Sequence, residues 1–261
     1  LNFFASLTAP WLHVLFEALA YVVAGFVYRA GRKQHGDTLN DSHRATVLVA
    51  AILGAALGSK LLHHLASPSE FLQQLDALGW SGIGQYLMGG KTIVGAVLGG
   101  WWAVEWVKKR AGVTSRTGDL FAFPLAIGII IGRLGCLFAG PTDDTLGVAT
   151  TSWLGIDFGD GVLRYPTPLF EIFAMCICAY MLQRHKRAQL SNHPWTFFHR
   201  PGDAFRLFML SYLALRLFLD FLKPYEVVLG LRIIQWACLC GIVFLMRDLL
   251  KNARSIRNHR P

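Results

Sequence analysis

The chain has 261 residues, 54% of them hydrophobic and only 16% charged, with a net charge of +9. A soluble domain carries about 25% charged residues, so lipid is expected to replace water over much of the surface. The basic residues fall in short loops between apolar runs and form no patch interleaved with aromatics, which argues against nucleic acid as a partner.

The opening residues 1–10 lack the basic region of a cleavable leader, so the first apolar run is expected to remain and span. In chain order, spans are expected at about 9–28, 45–65, 83–107, 118–140, 166–183, 202–222 and 230–247. Runs of this length exclude barrel strands of about 10 residues, which leaves helices. The fold class is therefore an all-α integral membrane protein of seven transmembrane helices.

Orientation follows from the loops. The 29–44 loop carries Arg29, Arg32, Lys33 and Arg44, and the 108–117 loop carries Lys108, Lys109, Arg110 and Arg116. Arg184, Lys186, Arg187 and Arg200 mark the next loop on that side, followed by a basic tail. The alternate loops hold only Arg164, Lys223 and Arg232. The positive-inside rule then puts the N-terminus outside and the C-terminus in the cytoplasm. Residues 1–261 read as one transmembrane domain, with a short extracytoplasmic arm at about 141–165 and a possible interfacial helix at 66–82.

Paired small residues at four-residue spacing (Gly54 and Gly58, Gly95 and Gly99, Gly128 and Gly132) predict close helix packing. The five cysteines, Cys136, Cys176, Cys178, Cys238 and Cys240, all lie in apolar stretches and form no CxxC pair, so they read as small buried hydrophobes.

A charge inside a span costs about 2.5–3.5 kcal/mol on insertion scales and is a functional candidate by default. Lys60, Glu105 and Arg206 lie near span ends, where snorkelling or structural pairing accounts for them. Arg133 differs. It sits between Gly132 and Gly135, which leave room at its guanidinium, and a forked donor matches a phosphate. Tyr212, Arg216 and Asp220 recur every four residues and share a helix face, as an internal ion pair or as a second phosphate site. Tyr165-Pro166-Thr167-Pro168 leads into Glu171, a carboxylate placed to orient an arginine, act as a base or meet the helix N-terminus. Lys91 and Thr92 follow Gly89-Gly90, and Lys91 reads as a third cation within a span.

Several motifs are absent. Gln85 stands where a P-loop needs glycine, and no GxSxG elbow occurs. His63 and His64 are adjacent, no HExxH exists, and neither metal nor cofactor is implied.

At these residues the chain resembles the prolipoprotein diacylglyceryl transferase family of bacterial seven-span membrane enzymes. The similarity runs through Gly89-Gly90 to Gly99-Gly100, Gly132-Arg133-Leu134-Gly135, Tyr165-Pro166 with Leu169-Phe170-Glu171, and Tyr212-Leu213-Ala214-Leu215-Arg216 with Asp220-Phe221. The resemblance implies transfer of a diacylglyceryl group from phosphatidylglycerol to a lipobox cysteine thiol at the outer face of the bacterial inner membrane, with release of glycerol phosphate. It implies catalytic roles for Arg133 and Arg216, which would hold the phosphate, and for Glu171, which would support the site. Lys91, Thr92, Gly132, Gly135, Tyr165 and Tyr212 are the expected substrate contacts, with Lys91-Thr92 placed to substitute for missing family groups. The acceptor would enter beneath the 141–165 arm.

Three departures accompany it. Val94 replaces the family's histidine, Cys136 its asparagine and Pro141 its glutamate. A thiol with an unperturbed pKa near 8.5 needs help in losing its proton. Asp144, beside Asp143, is the expected replacement base. A different acceptor, or a non-catalytic protein that binds or translocates lipid, are the alternative readings.

Overall fold

A computed structural model of the chain describes residues 10–35, 39–143, 145–190 and 201–257. Its elements are α1 (Pro10–His35), α2 (Asp41–Ala66), α3 (Pro68–Met88), α4 (Ile93–Arg110), α5 (Asp119–Ala139), β1 (Ile156–Asp157), β2 (Leu163–Arg164), α6 (Thr167–Leu190), α7 (Asp203–Leu219), β3 (Val227–Val228), β4 (Leu231–Arg232) and α8 (Ile233–Arg257). Short 3-10 turns follow α5 at Gly140–Thr142 and α7 at Asp220–Leu222. The strands form two small antiparallel hairpins, so the protein is all-α in class.

Among the described residues, three helical stretches are long and apolar enough to cross a membrane: Trp11–Gln34, Asp41–Ala66 and Asp119–Thr142. Their outward faces carry large apolar side chains, such as Phe26 and Leu57, the latter 72% exposed, which suits a hydrocarbon solvent. The other expected spans are helical too, but shorter or charged at their ends. The 17-residue α7 is one, and the 18-residue α4, ending in Lys108-Lys109-Arg110, is another.

The chain forms two compact units. The first combines residues 1–37 with 116–224, and the second 38–115 with 225–261. In the first, α5 packs against α1, α6 and α7, and α6 also packs on α7. Asp119 at the start of α5 accepts from the amides of Gly202 at 2.6 Å and Phe205 at 3.0 Å. It thereby caps α7 from another helix and satisfies amides that would otherwise be orphaned.

The second unit is built on α2 and α4. A Cβ on Gly58 would sit 2.4 Å from Gly95 O, and one on Gly54 would sit 2.5 Å from Gly99 O. The two glycine pairs therefore face each other and let the backbones touch. Gly128 makes ordinary contact with Ala24, whereas Gly132 has nothing within 4 Å, so it is not a packing glycine as its spacing suggests.

The expected third span at 83–107 is in fact two helices. Gly89 closes α3, Gly90 takes a positive φ of 58°, and the Thr92 side chain caps α4 by accepting from Gly95 N at 3.1 Å. The helix stops because glycine permits the left-handed turn, and it restarts because Thr92 caps it. Lys91 consequently lies in an exposed connection, not within a span. The helix α3 occupies most of the expected 66–82 loop.

Gly58→Leu should destabilise the protein by at least 1–3 kcal/mol through overpacking, read as a lowered thermal midpoint in detergent. Gly25→Ala, at an open helix position, should leave it unchanged or raised. Equal midpoints for both variants would refute the backbone contact.

Candidate ionic site

The first unit buries five charged side chains in one network. Arg133 projects from α5, Glu171 from the second turn of α6, Arg216 from α7, Asp220 from the turn after α7, and Lys223 from the residues beyond. Each is at most 4% exposed. Arg133 Nε donates to Glu171 Oε2 at 2.8 Å, and Arg216 Nη1 donates to Glu171 Oε1 at 3.4 Å. Lys223 Nζ lies 3.9 Å from the same Oε1. Arg216 also grips Asp220 Oδ1 through Nε at 3.2 Å and Nη2 at 2.6 Å.

Local sequence explains this convergence. Pro166 and Pro168 start α6 abruptly, so Glu171 comes early on it, facing α5 and α7. Tyr212, Arg216 and Asp220 share one face of α7, and all three are buried. Continuing that face by three residues reaches Lys223. Sequence reasoning assigned Lys223 to an outer loop as a topology marker and missed it; its spacing from Asp220 was the available signal.

Three cations against two carboxylates leave the network one positive charge in excess when all are ionised. Buried ions cost several kcal/mol each unless paired, so the arrangement favours one further anion. Gly132, the residue before Arg133, has nothing within 4 Å of where a Cβ would stand. Gly135 differs. A Cβ there would lie 2.8 Å from Phe16 Cβ and 3.3 Å from His13 Cα, so this glycine seats α1 against α5.

The arm is tied to the same region by its backbone. Val148 N donates to Leu222 O at 2.7 Å, Gly147 N to Tyr165 O at 2.9 Å, and Tyr165 N to Val148 O at 3.3 Å. Tyr165 thus enters through its main chain, with a half-buried ring. Leu137, Leu146 and Phe158 form a small core that anchors the arm on the end of α5.

Lys91 and Thr92 belong to the second unit, where Thr92 is a helix cap whose amide bonds Ser59 Oγ at 3.0 Å. Val94 is fully buried on α4 and offers no proton-transfer group. Asp144 lies outside the described residues. Lys108 pairs with Glu105 at 2.9 Å and Arg206 with Asp203 at 2.7 Å, while Lys60 donates to Gly89 O at 2.9 Å, all structural roles. Among the described residues, one grouping has donor atoms suited to a metal ion: His13, Cys136 and Asp143, with Cys136 Sγ 3.5 Å from Arg133 Nη1.

The chain is similar to proteins of one known family. The model of the prolipoprotein diacylglyceryl transferase family matches residues 10–248. A phosphatidylglycerol–prolipoprotein diacylglyceryl transferase of Rhodospirillum rubrum is 26% identical over 240 residues, covering 82% of this chain and 77% of its own. One from Bordetella bronchiseptica is 25% identical, covering 84% of this chain and 82% of its own. A third, from Chlorobaculum tepidum, is 29% identical over 134 residues, and the match spans 43% of its length.

Glu171→Ala would strand three buried cations without their shared carboxylate. A loss of about 3–5 kcal/mol is expected, as when one partner of a buried pair is removed, measured as thermal or denaturant stability in detergent. Asp160→Ala, which removes the exposed Arg164 pair on the first hairpin, should leave stability near the parent value.

Proposed function

The chain belongs to the prolipoprotein diacylglyceryl transferase family, and we propose that it moves a diacylglyceryl group from phosphatidylglycerol to the thiol of a prolipoprotein cysteine. The observation that carries this is the pair of arginines sharing Glu171, with one positive charge in excess and open space at Gly132.

A phosphodiester anion balances that excess. Arg133 and Arg216, held by Glu171 and Asp220, present guanidinium edges whose geometry matches phosphate oxygens. In the transfer, the acceptor sulfur forms a bond to the terminal glyceryl carbon as that carbon's bond to the phosphate oxygen breaks. The electron pair leaves on the phosphate, which gains negative charge as glycerol phosphate departs. Fixed cations in a water-poor site stabilise that developing charge and need no reorganisation when it forms. Glu171 is then a positioning residue. Tyr212 is buried on the same helix face as Arg216, and Lys223 adds a third cation.

We read the whole chain as one transmembrane domain of seven spans in a bacterial inner membrane. Its N-terminus would lie outside and its basic loops and tail in the cytoplasm. The 141–165 arm then lies on the outer side, where lipobox cysteines are presented. A second reading is a lipid-binding protein without turnover, favoured by Val94, whose buried alkyl side chain cannot replace a histidine.

Detergent-purified protein supplied with labelled phosphatidylglycerol and a lipobox peptide should yield lipidated peptide and glycerol phosphate. Arg133→Lys and Arg216→Lys should each lower the rate by about 10²–10³, the scale of losing one fixed donor at a developing oxyanion. Lipid that binds the parent chain without ever reacting would favour the second reading.

A further inference from the structure

Beside the ionic network lies a grouping that sequence spacing conceals. His13 of α1, Cys136 of α5 and Asp143 just past the following turn bring their donor atoms within 4.8 Å of one another. Two devices bring them together. Gly135 lets the α1 backbone settle at His13, and Gly140, with a φ of 63°, bends the chain so that Asp143 N bonds back to Gly140 O at 3.1 Å.

We propose that His13 Nδ1, Cys136 Sγ and one Asp143 carboxylate oxygen bind a divalent first-row metal ion, zinc by the nature of the donors, and that its open fourth position takes the acceptor thiol. His13 Nδ1 and Asp143 Oδ2 face each other at 3.1 Å, yet both atoms are buried without a satisfying hydrogen bond. A cation between them would satisfy both. Tetrahedral zinc ligands at about 2.0–2.3 Å from the ion stand about 3.3–3.8 Å apart, so the longest edge needs to contract by only about 1 Å.

The surroundings fit as well. The other ring nitrogen, His13 Nε2, lies 3.9 Å from Glu17 Oε2 one helical turn on, so a carboxylate stands near the outer side of the ring, beyond hydrogen-bond distance. Glu17 itself accepts from Tyr21 Oη at 3.3 Å. A thiolate and a carboxylate neutralise a dication, so Arg133, 3.5 Å from Cys136 Sγ, would face no net positive charge. The His13 side chain is 33% exposed, which leaves one side of the site accessible, whereas Cys136 is buried. Three protein ligands with one position open is the arrangement of catalytic zinc.

The metal's role rests on the transferase reading; the site itself does not. A thiol bound at the open position is deprotonated by the metal, its proton passing to solvent. The resulting thiolate attacks the glyceryl carbon while the carbon–oxygen bond to phosphate breaks. Arg133 touches both Cys136 and Glu171, so nucleophile and phosphate would meet at one side chain. The metal would thus supply the thiol activation left without a group where Val94 and Pro141 replace the family's histidine and glutamate.

Cobalt(II) alone, titrated into the purified full chain, should give one equivalent of thiolate-to-metal charge-transfer absorption. Cys136→Ser should abolish it, and His13→Gln or Asp143→Asn should weaken binding by at least about 100-fold, since even outer-shell losses cost 10–100-fold. Cys178→Ala and Cys240→Ser should not change it. No absorption in the parent chain, or absorption that survives Cys136→Ser, would overturn the site. Cobalt binding without transfer activity would count against the transferase reading and the metal's role in it, and would leave the site standing. Transfer continuing at the full rate after chelation would overturn the metal's role.

Discussion

Two guanidinium groups on separate helices share one carboxylate, and the first unit is organised by that constraint. Glu171 has two oxygens, one bonded by Arg133 and the other facing Arg216 and Lys223. Neither arginine is tolerable in an apolar interior unpaired, and one carboxylate cannot neutralise both. Helices α5, α6 and α7 must therefore meet at a single point, and Asp220 must turn back on Arg216. Those two arginines and two carboxylates balance, so the positive charge in excess is that of Lys223, and when it is ionised the point favours an anion.

The rest of the first unit serves this meeting point. Asp119 fixes the start of α7 from α5, so the helix bearing Arg216 cannot rotate independently of the one bearing Arg133. Backbone bonds tie the arm to Leu222, next to Lys223. The second unit has a different logic. Its opposed glycines hold α2 and α4 together by backbone proximity.

Much of this was legible in the sequence because charge in an apolar run is a strong signal. Arg133, Glu171, Arg216 and Asp220 stand out against lipid-facing residues whatever their partners, and the four-residue spacing on α7 shows which side chains share a face. Lys223 was lost because it follows the apolar run and resembles any loop cation. Gly132 and Gly135 flank the same Arg133-Leu134 pair but have opposite surroundings in space, a distinction only tertiary contact makes. The break at Gly89–Thr92 was hidden because the hydrophobicity of residues 83–107 continues through it, while backbone conformation at Gly90 and the Thr92 cap do not register in hydropathy. His13 and Asp143 were invisible for a simpler reason: 130 positions separate them, and no motif spans that distance.

The separation of Arg133 from its carboxylate has a consequence for biogenesis. Glu171 lies 38 residues downstream, so α5 is synthesised complete while α6 is still to come. During that interval the translocation machinery holds a helix with an uncompensated guanidinium, a burden of about 2.5–3.5 kcal/mol at the bilayer centre. Release of α5 into lipid would therefore cost less together with α6 than before it.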